Sequence, residues 1–261
     1  MKPHTTSPQQ PQPKSVSKQT ERALAGRGGT VEQQNASTNT PAVTHSSELF
    51  NTLTHFVGLC LMLCISWVLI WFGYNKNWEN AFGVTFFTVG MILMYVASSL
   101  YHSWKPNTRG KLILRKLDHI SIYVLIASSY TPICMQLVED QLYVEGWVSF
   151  GVIWALAILG IFYKLFWWMQ YPRLSLVLYL ILGWSILFFM RPVRECITPL
   201  TLFLIAAEGI VYTLGVYFFA NDQRNPYFHG IWHIFVILGT LLHWAAVFVM
   251  AWPWEDGLWT H

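Results

Sequence analysis

Phe228-His229-Gly230-Ile231-Trp232-His233 sets two histidines four residues apart at the head of the last apolar segment. On an α-helix both imidazoles project from one face, one turn above the other. That is the H-x3-H clip, half of a metal site. Paired histidines near a membrane boundary also occur without any ion, so the clip gains meaning only from the other polar residues.

Those residues gather at one end of the chain's apolar segments. Ser98 and His102 stand at i and i+4 where the second segment closes, and Asp118 and His119 open the third. Glu48, Asn51 and His55 share a face at i, i+3 and i+7 where the first begins. An ionisable group inside a membrane span costs on the order of 2.5–3.5 kcal/mol, so it usually faces the interior, paired or liganded. Three imidazoles and a carboxylate converging there suit Zn²⁺. Three protein ligands plus a water form the catalytic pattern, because the metal lowers the pKa of its water towards 7.

The candidate ligands are His102, His229 and His233. Asp118 is the candidate to hold the water or act as general base. Ser98, one turn before His102, is the candidate to donate to a substrate carbonyl or developing oxyanion. Plainer roles stand beside these: Asp118 paired with Arg115 or Lys116, and Ser98 as a small packing residue between helices. His119 points about 100° away from Asp118 and stays outside the ligand set. The Glu48, Asn51 and His55 face reads as a helix cap and interhelical hydrogen bonds that support the site from behind.

The elements that must position these side chains follow from composition. Of 261 residues, 54% are hydrophobic, 16% aromatic and only 11% charged, against a usual quarter charged. Seven apolar blocks, about 50–72, 80–103, 112–135, 144–164, 174–190, 198–219 and 228–250, each approach the ~20 residues a helix needs to cross a bilayer. The expectation is an all-α integral membrane protein, a seven-helix transmembrane bundle. Residues 48–252 would form it, with 253–261 a short extracytoplasmic tail. Brief connectors are expected at Gly73-Tyr74-Asn75, Lys105-Pro106-Asn107, Tyr171-Pro172-Arg173, Arg191-Pro192 and Asn221 to Pro226. No soluble domain fits between them, and no internal repeat is visible.

Residues 1–47 are rich in Gln, Ser, Thr, Pro and Asn. They cannot bury enough apolar surface to offset chain entropy, so a disordered polar tail is expected, open to a cytoplasmic partner. Orientation follows the basic residues. Lys2, Lys14, Lys18, Arg22, Arg27, Lys105, Arg109, Lys111, Arg115, Lys116, Lys164, Arg173 and Arg224 fall on one side, and Lys76, Arg191 and Arg194 on the other. The richer side is expected to be cytoplasmic, with the N-terminus inside, the C-terminus outside and the plasma (inner) membrane as host. The net charge of +3 calls for no nucleic acid.

Cys60, Cys64, Cys134 and Cys196 form no C-x-x-C pair, which argues against disulfides and thiolate sites. Glu208 and His243 lie deeper and read as a structural pair, or as part of a polar path towards the metal. Trp167, Trp168, Trp252 and Trp254 fall near the expected interfaces, as aromatic belts do.

Several segments together resemble the haemolysin III family, and more widely the progestin and adiponectin receptor superfamily with its alkaline ceramidase relatives. They are Glu48-x-x-Asn51-x-x-Thr54-His55-x-x-Gly58, Ser98-x3-His102, Asp118-His119-x-x-Ile122-Tyr123, Ala127-Ser128-Ser129-Tyr130-Thr131-Pro132 and Phe228-His229-Gly230-Ile231-Trp232-His233-x-Phe235-Val236. The likeness spans about residues 46–250, and no motif is missing. It implies a seven-helix fold with the N-terminus inside. It also implies zinc on His102, His229 and His233, with Asp118 reaching the metal through water and Ser98 as the family serine. The implied activity is metal-dependent hydrolysis of lipid amides, although bacterial members are named for haemolysis and animal relatives act as receptors. The long polar tail departs from short bacterial members.

The leading expectation is thus a zinc-dependent membrane hydrolase cleaving a lipid amide such as ceramide, with membrane lipids as surroundings and substrate. Two rivals stand beside it. One is a receptor or adaptor whose zinc only ties helices together; the other is a haemolysin-type pore, which needs a polar stripe crossing the membrane.

Overall fold

A computed structural model describes residues 44–167 and 172–252. Every regular element among them is helical: α1 (His45–Lys76), α2 (Trp78–Ser103), α3 (Arg109–Glu139), α4 (Tyr143–Phe166), α5 (Pro172–Gly183), a 3₁₀ turn (Ser185–Phe189), α6 (Met190–Cys196), α7 (Pro199–Ala220), a second 3₁₀ turn (Asp222–Arg224) and α8 (Phe228–Ala251). The stretch from α5 through the 3₁₀ turn to α6 makes one span, so seven helical spans are long and apolar enough to cross a membrane. The proposed disorder of residues 1–43, the tail 253–261, and Trp168, Tyr171 and Trp254 lie outside the described residues.

The bundle is turned outward relative to a soluble protein. Large apolar side chains such as Phe188 (84% exposed) and Val144 (72%) face away from it, as lipid contact permits. Its interior holds small and polar residues among Met62, Leu69, Phe87, Met91, Tyr95 and Tyr123. α1, α2, α3 and α4 pack side by side in chain order, and α8 returns against α7 and α1. The fifth span is the most lightly packed.

Three expected boundaries move, each for a local reason. Residues 45–47 are not tail but the first turn of α1. The Thr44 hydroxyl accepts from Ser47 N at 3.2 Å and the Ser47 hydroxyl accepts from Thr44 N at 3.0 Å, a reciprocal cap. Gly73-Tyr74-Asn75 is not a connector; α1 runs on to Lys76, and Asn77 alone turns the chain while its side chain caps α2. Arg191-Pro192 is not a connector either. Both residues sit in the first turn of α6, where a proline's missing N–H costs nothing. The expected turn at Lys105-Pro106-Asn107 is present, with Asn107 at φ 57, a left-handed conformation that asparagine tolerates.

The break in the fifth span is held by Tyr130 of α3. Its hydroxyl donates to the Gly183 carbonyl at 2.6 Å and accepts from Ile186 N at 2.9 Å. Backbone groups freed inside a bilayer must find partners within the protein. One tyrosine supplies both.

Candidate metal centre

α1, α2 and α8 carry the site at one end of the bundle. Their close approach depends on glycine: a Cβ at Gly230 would collide with the Phe50 ring and lie 2.9 Å from Asn51 Oδ1, and one at Gly58 would lie 2.7 Å from Tyr95 Cε1. Small residues at helix crossings are how membrane helices come together. α8 can therefore set His229 and His233 against the start of α1, while α2 ends with His102 beside them.

Each of the three imidazoles offers a ligand atom, and those atoms all lie within 4.8 Å of one another. Ring centroids are 5.0 Å apart for His102 and His229, 5.0 Å for His102 and His233, and 4.8 Å for His229 and His233. His102 is 4% exposed and His233 1%.

An oxygen stands behind every ring. His102 Nδ1 is 3.4 Å from Glu48 Oε1. His229 Nδ1 is 3.4 Å from Asp222 Oδ2. The His233 Nδ1–H is shared between the Asn51 carbonyl at 3.1 Å and the Thr54 hydroxyl at 3.0 Å. This arrangement sets the tautomer and leaves Nε2 of each ring as the remaining nitrogen, the pattern by which outer partners orient metal-ligating histidines. His55 stacks on His233 with centroids 3.6 Å apart and planes at 14°, which fixes the ring from its face.

The donor set fits a divalent metal. His102 Nε2 is buried without a hydrogen-bond partner in the protein, and neutral imidazole nitrogens are good ligands for such ions.

Asp118 and Ser98 line one cavity with His229 and His233. Ser98 is 1% exposed and its hydroxyl has no hydrogen-bond partner. Asp118 is 8% exposed, with His119 Nδ1 3.7 Å from its Oδ2. His119 donates from Nδ1 to the Arg115 carbonyl at 2.8 Å and also lines the cavity, beside the three-histidine group rather than within it.

Two contributors escape sequence reasoning. Asp222 lies in the turn before α8, where its spacing to His229 has no helical meaning. Lys111 counts in the sequence only as a basic residue on one side. Here its ammonium donates to Glu48 Oε2 at 2.6 Å and to the Tyr101 carbonyl at 2.7 Å, tying the carboxylate behind His102 to the end of α2.

An all-helical bundle of seven apolar spans with a histidine cluster at one end defines an integral multi-pass membrane protein. The chain belongs to the haemolysin-III related family, whose model matches residues 43–244. It is 34% identical to "Hemolysin-3" of Bacillus cereus over 207 residues, 79% of this chain and 92% of that protein. Against "Hemolysin-3 homolog" of Bacillus subtilis (strain 168) it is 33% identical over 207 residues, 78% and 92% of the two chains. The human "Monocyte to macrophage differentiation factor" matches at 29% over 163 residues, 61% of this chain and 66% of that one. That animal match supports the wider superfamily.

Proposed function

We propose that the protein is a zinc-dependent membrane hydrolase of lipid amides. The observation that carries this reading is the convergence of three imidazoles, each held from behind, of which His229 and His233 line an apolar-walled cavity together with Ser98 and Asp118. His102, His229 and His233 would hold the ion. When bound, zinc supplies Lewis-acid activation of water near neutral pH.

The chain's own residues do the rest. Glu48, Asp222 and the Asn51 carbonyl keep the three rings in orientation. Asp118 accepts a proton from the water that attacks the amide carbonyl, then returns it to the leaving amine. Ser98 donates a hydrogen bond from its hydroxyl to the carbonyl oxygen as charge grows there. The apolar walls receive the lipid and keep bulk water out, which strengthens each of these interactions. By the orientation the basic residues imply, this chemistry faces the cytoplasm.

Packing favours this reading over a pore. Met62, Leu69, Val84, Phe87 and Met91 fill the space among α1, α2 and α8, and the cavity beside them has chiefly apolar walls, including Leu125, Ile126, Ile133, Leu202 and Ile205, in place of the continuous polar stripe a pore needs. Purified His233→Ala and Asp118→Ala variants should each lose lipid-amide turnover to background, with zinc lost only from the first. Zinc-loaded wild-type protein that is inert towards a broad panel of lipid amides would overturn the proposal.

A further inference from the structure

The cavity does not end at the histidine cluster. Its lining also includes Glu208 of α7 and His243 of α8. His243 follows His233 by ten residues on one helix, so the two stand about 15 Å apart along its axis. The cavity, of about 200 Å³, reaches both residues. Leu125, Ile126, Ile133, Leu202 and Ile205 give it apolar walls.

The far pair is built with care. The His243 Nδ1–H donates to Glu208 Oε2 at 2.7 Å. The ring is 2% exposed, and Phe87 packs against it with centroids 4.7 Å apart. Its Nε2 is buried without a hydrogen-bond partner. The proposed hydrolysis uses neither residue.

With the proton on Nδ1, Nε2 is an acceptor; in an imidazolium–carboxylate pair it becomes a donor. A hydroxyl group satisfies either form, because it can both donate and accept. A plain hydrocarbon satisfies neither. With C–C bonds of about 1.5 Å, an extended alkyl chain covers about 15 Å in roughly a dozen carbons.

We infer that Glu208 and His243 form a second polar station in the cavity, which receives a hydroxyl carried about a dozen carbons along the chain of a lipid. The inference rests on the hydrolase reading in placing the lipid's carbonyl at the histidine end.

The test is binding, which requires no turnover. Full-length protein in lipid nanodiscs is titrated with octadecanoic acid and with its analogue hydroxylated at about carbon 12. Wild type should bind the hydroxylated acid about five- to tenfold more tightly, the effect of one added hydrogen bond. The Glu208→Leu/His243→Leu double variant should bind both acids alike, with wild-type affinity for the plain chain. If that variant fails to fold, Glu208→Leu/His243→Phe keeps a ring but removes both polar groups, and should abolish the preference. Equal binding of the two acids by wild type, or a preference that survives in either variant, overturns the inference. A protein inert to lipid amides that keeps the preference sinks only the hydrolase reading. An active enzyme without the preference sinks only the station.

Discussion

The two ends of this bundle are both polar, yet they are finished differently. At the end opposite the histidines, Glu139 accepts from Lys76, Asn77 and Asn80, at 3.1, 2.7 and 2.7 Å. Lys76 also donates to the Met250 carbonyl at 2.9 Å. That cluster closes on itself and fastens α1, α2, α3 and α8. At the histidine end the partners all stand behind the rings, while His102 Nε2 and Ser98 Oγ have none. A buried polar group without a partner costs about 1–3 kcal/mol, so such groups are rare unless they serve something. The first cluster is a clasp. The second leaves a ring nitrogen and a hydroxyl available, as the proposed metal centre requires.

If that contrast is right, the two ends should fail separately. His102→Ala should lower bound zinc from about one ion per chain to almost none, read by metal analysis of purified protein. Amide hydrogen exchange around residues 77–80 should stay unchanged, and faster exchange there would join the two ends into one unit. Glu139→Ala removes the shared acceptor of Lys76, Asn77 and Asn80 at a cost of about 2–4 kcal/mol. It should lower the melting temperature by on the order of 10 °C and leave zinc content intact. Loss of zinc from that variant would break the comparison.

A smaller effect sharpens it. Glu48→Ala takes away the oxygen behind His102 and should weaken zinc affinity about 10–100-fold, measured by competition with a chelating indicator. Smallest of all, Asp222→Asn keeps an acceptor oxygen near His229 and should cost only about a few-fold. An affinity equal to wild type in Glu48→Ala would mean that the carboxylate serves Lys111 alone.

How much of this could be read beforehand depends on the range of each signal. The spans were legible because an apolar run of bilayer length is a local property. So was the facing of His229 and His233, since four residues make one turn. The hinge in the fifth span was not legible, because its cause is a tyrosine on α3. Nor was the clasp: Glu139 and Asn80 are ordinary polar residues until two helix ends meet. Glu208 and His243 could be suspected of meeting, and they do at 2.7 Å. Their sharing of one cavity with the histidines had no linear trace.

By itself the sequence determined a seven-span helical membrane protein of the haemolysin-III related family, and it named the residues most capable of chemistry. Tertiary structure alone decided that His102 comes within reach of a pair more than a hundred residues away. It also decided which oxygens stand behind the rings and where the cavity runs. The physical reason is that helix formation obeys short-range periodicity, whereas these contacts depend on how closely whole helices approach. That approach is set by glycines, a cap and a clasp scattered along the chain.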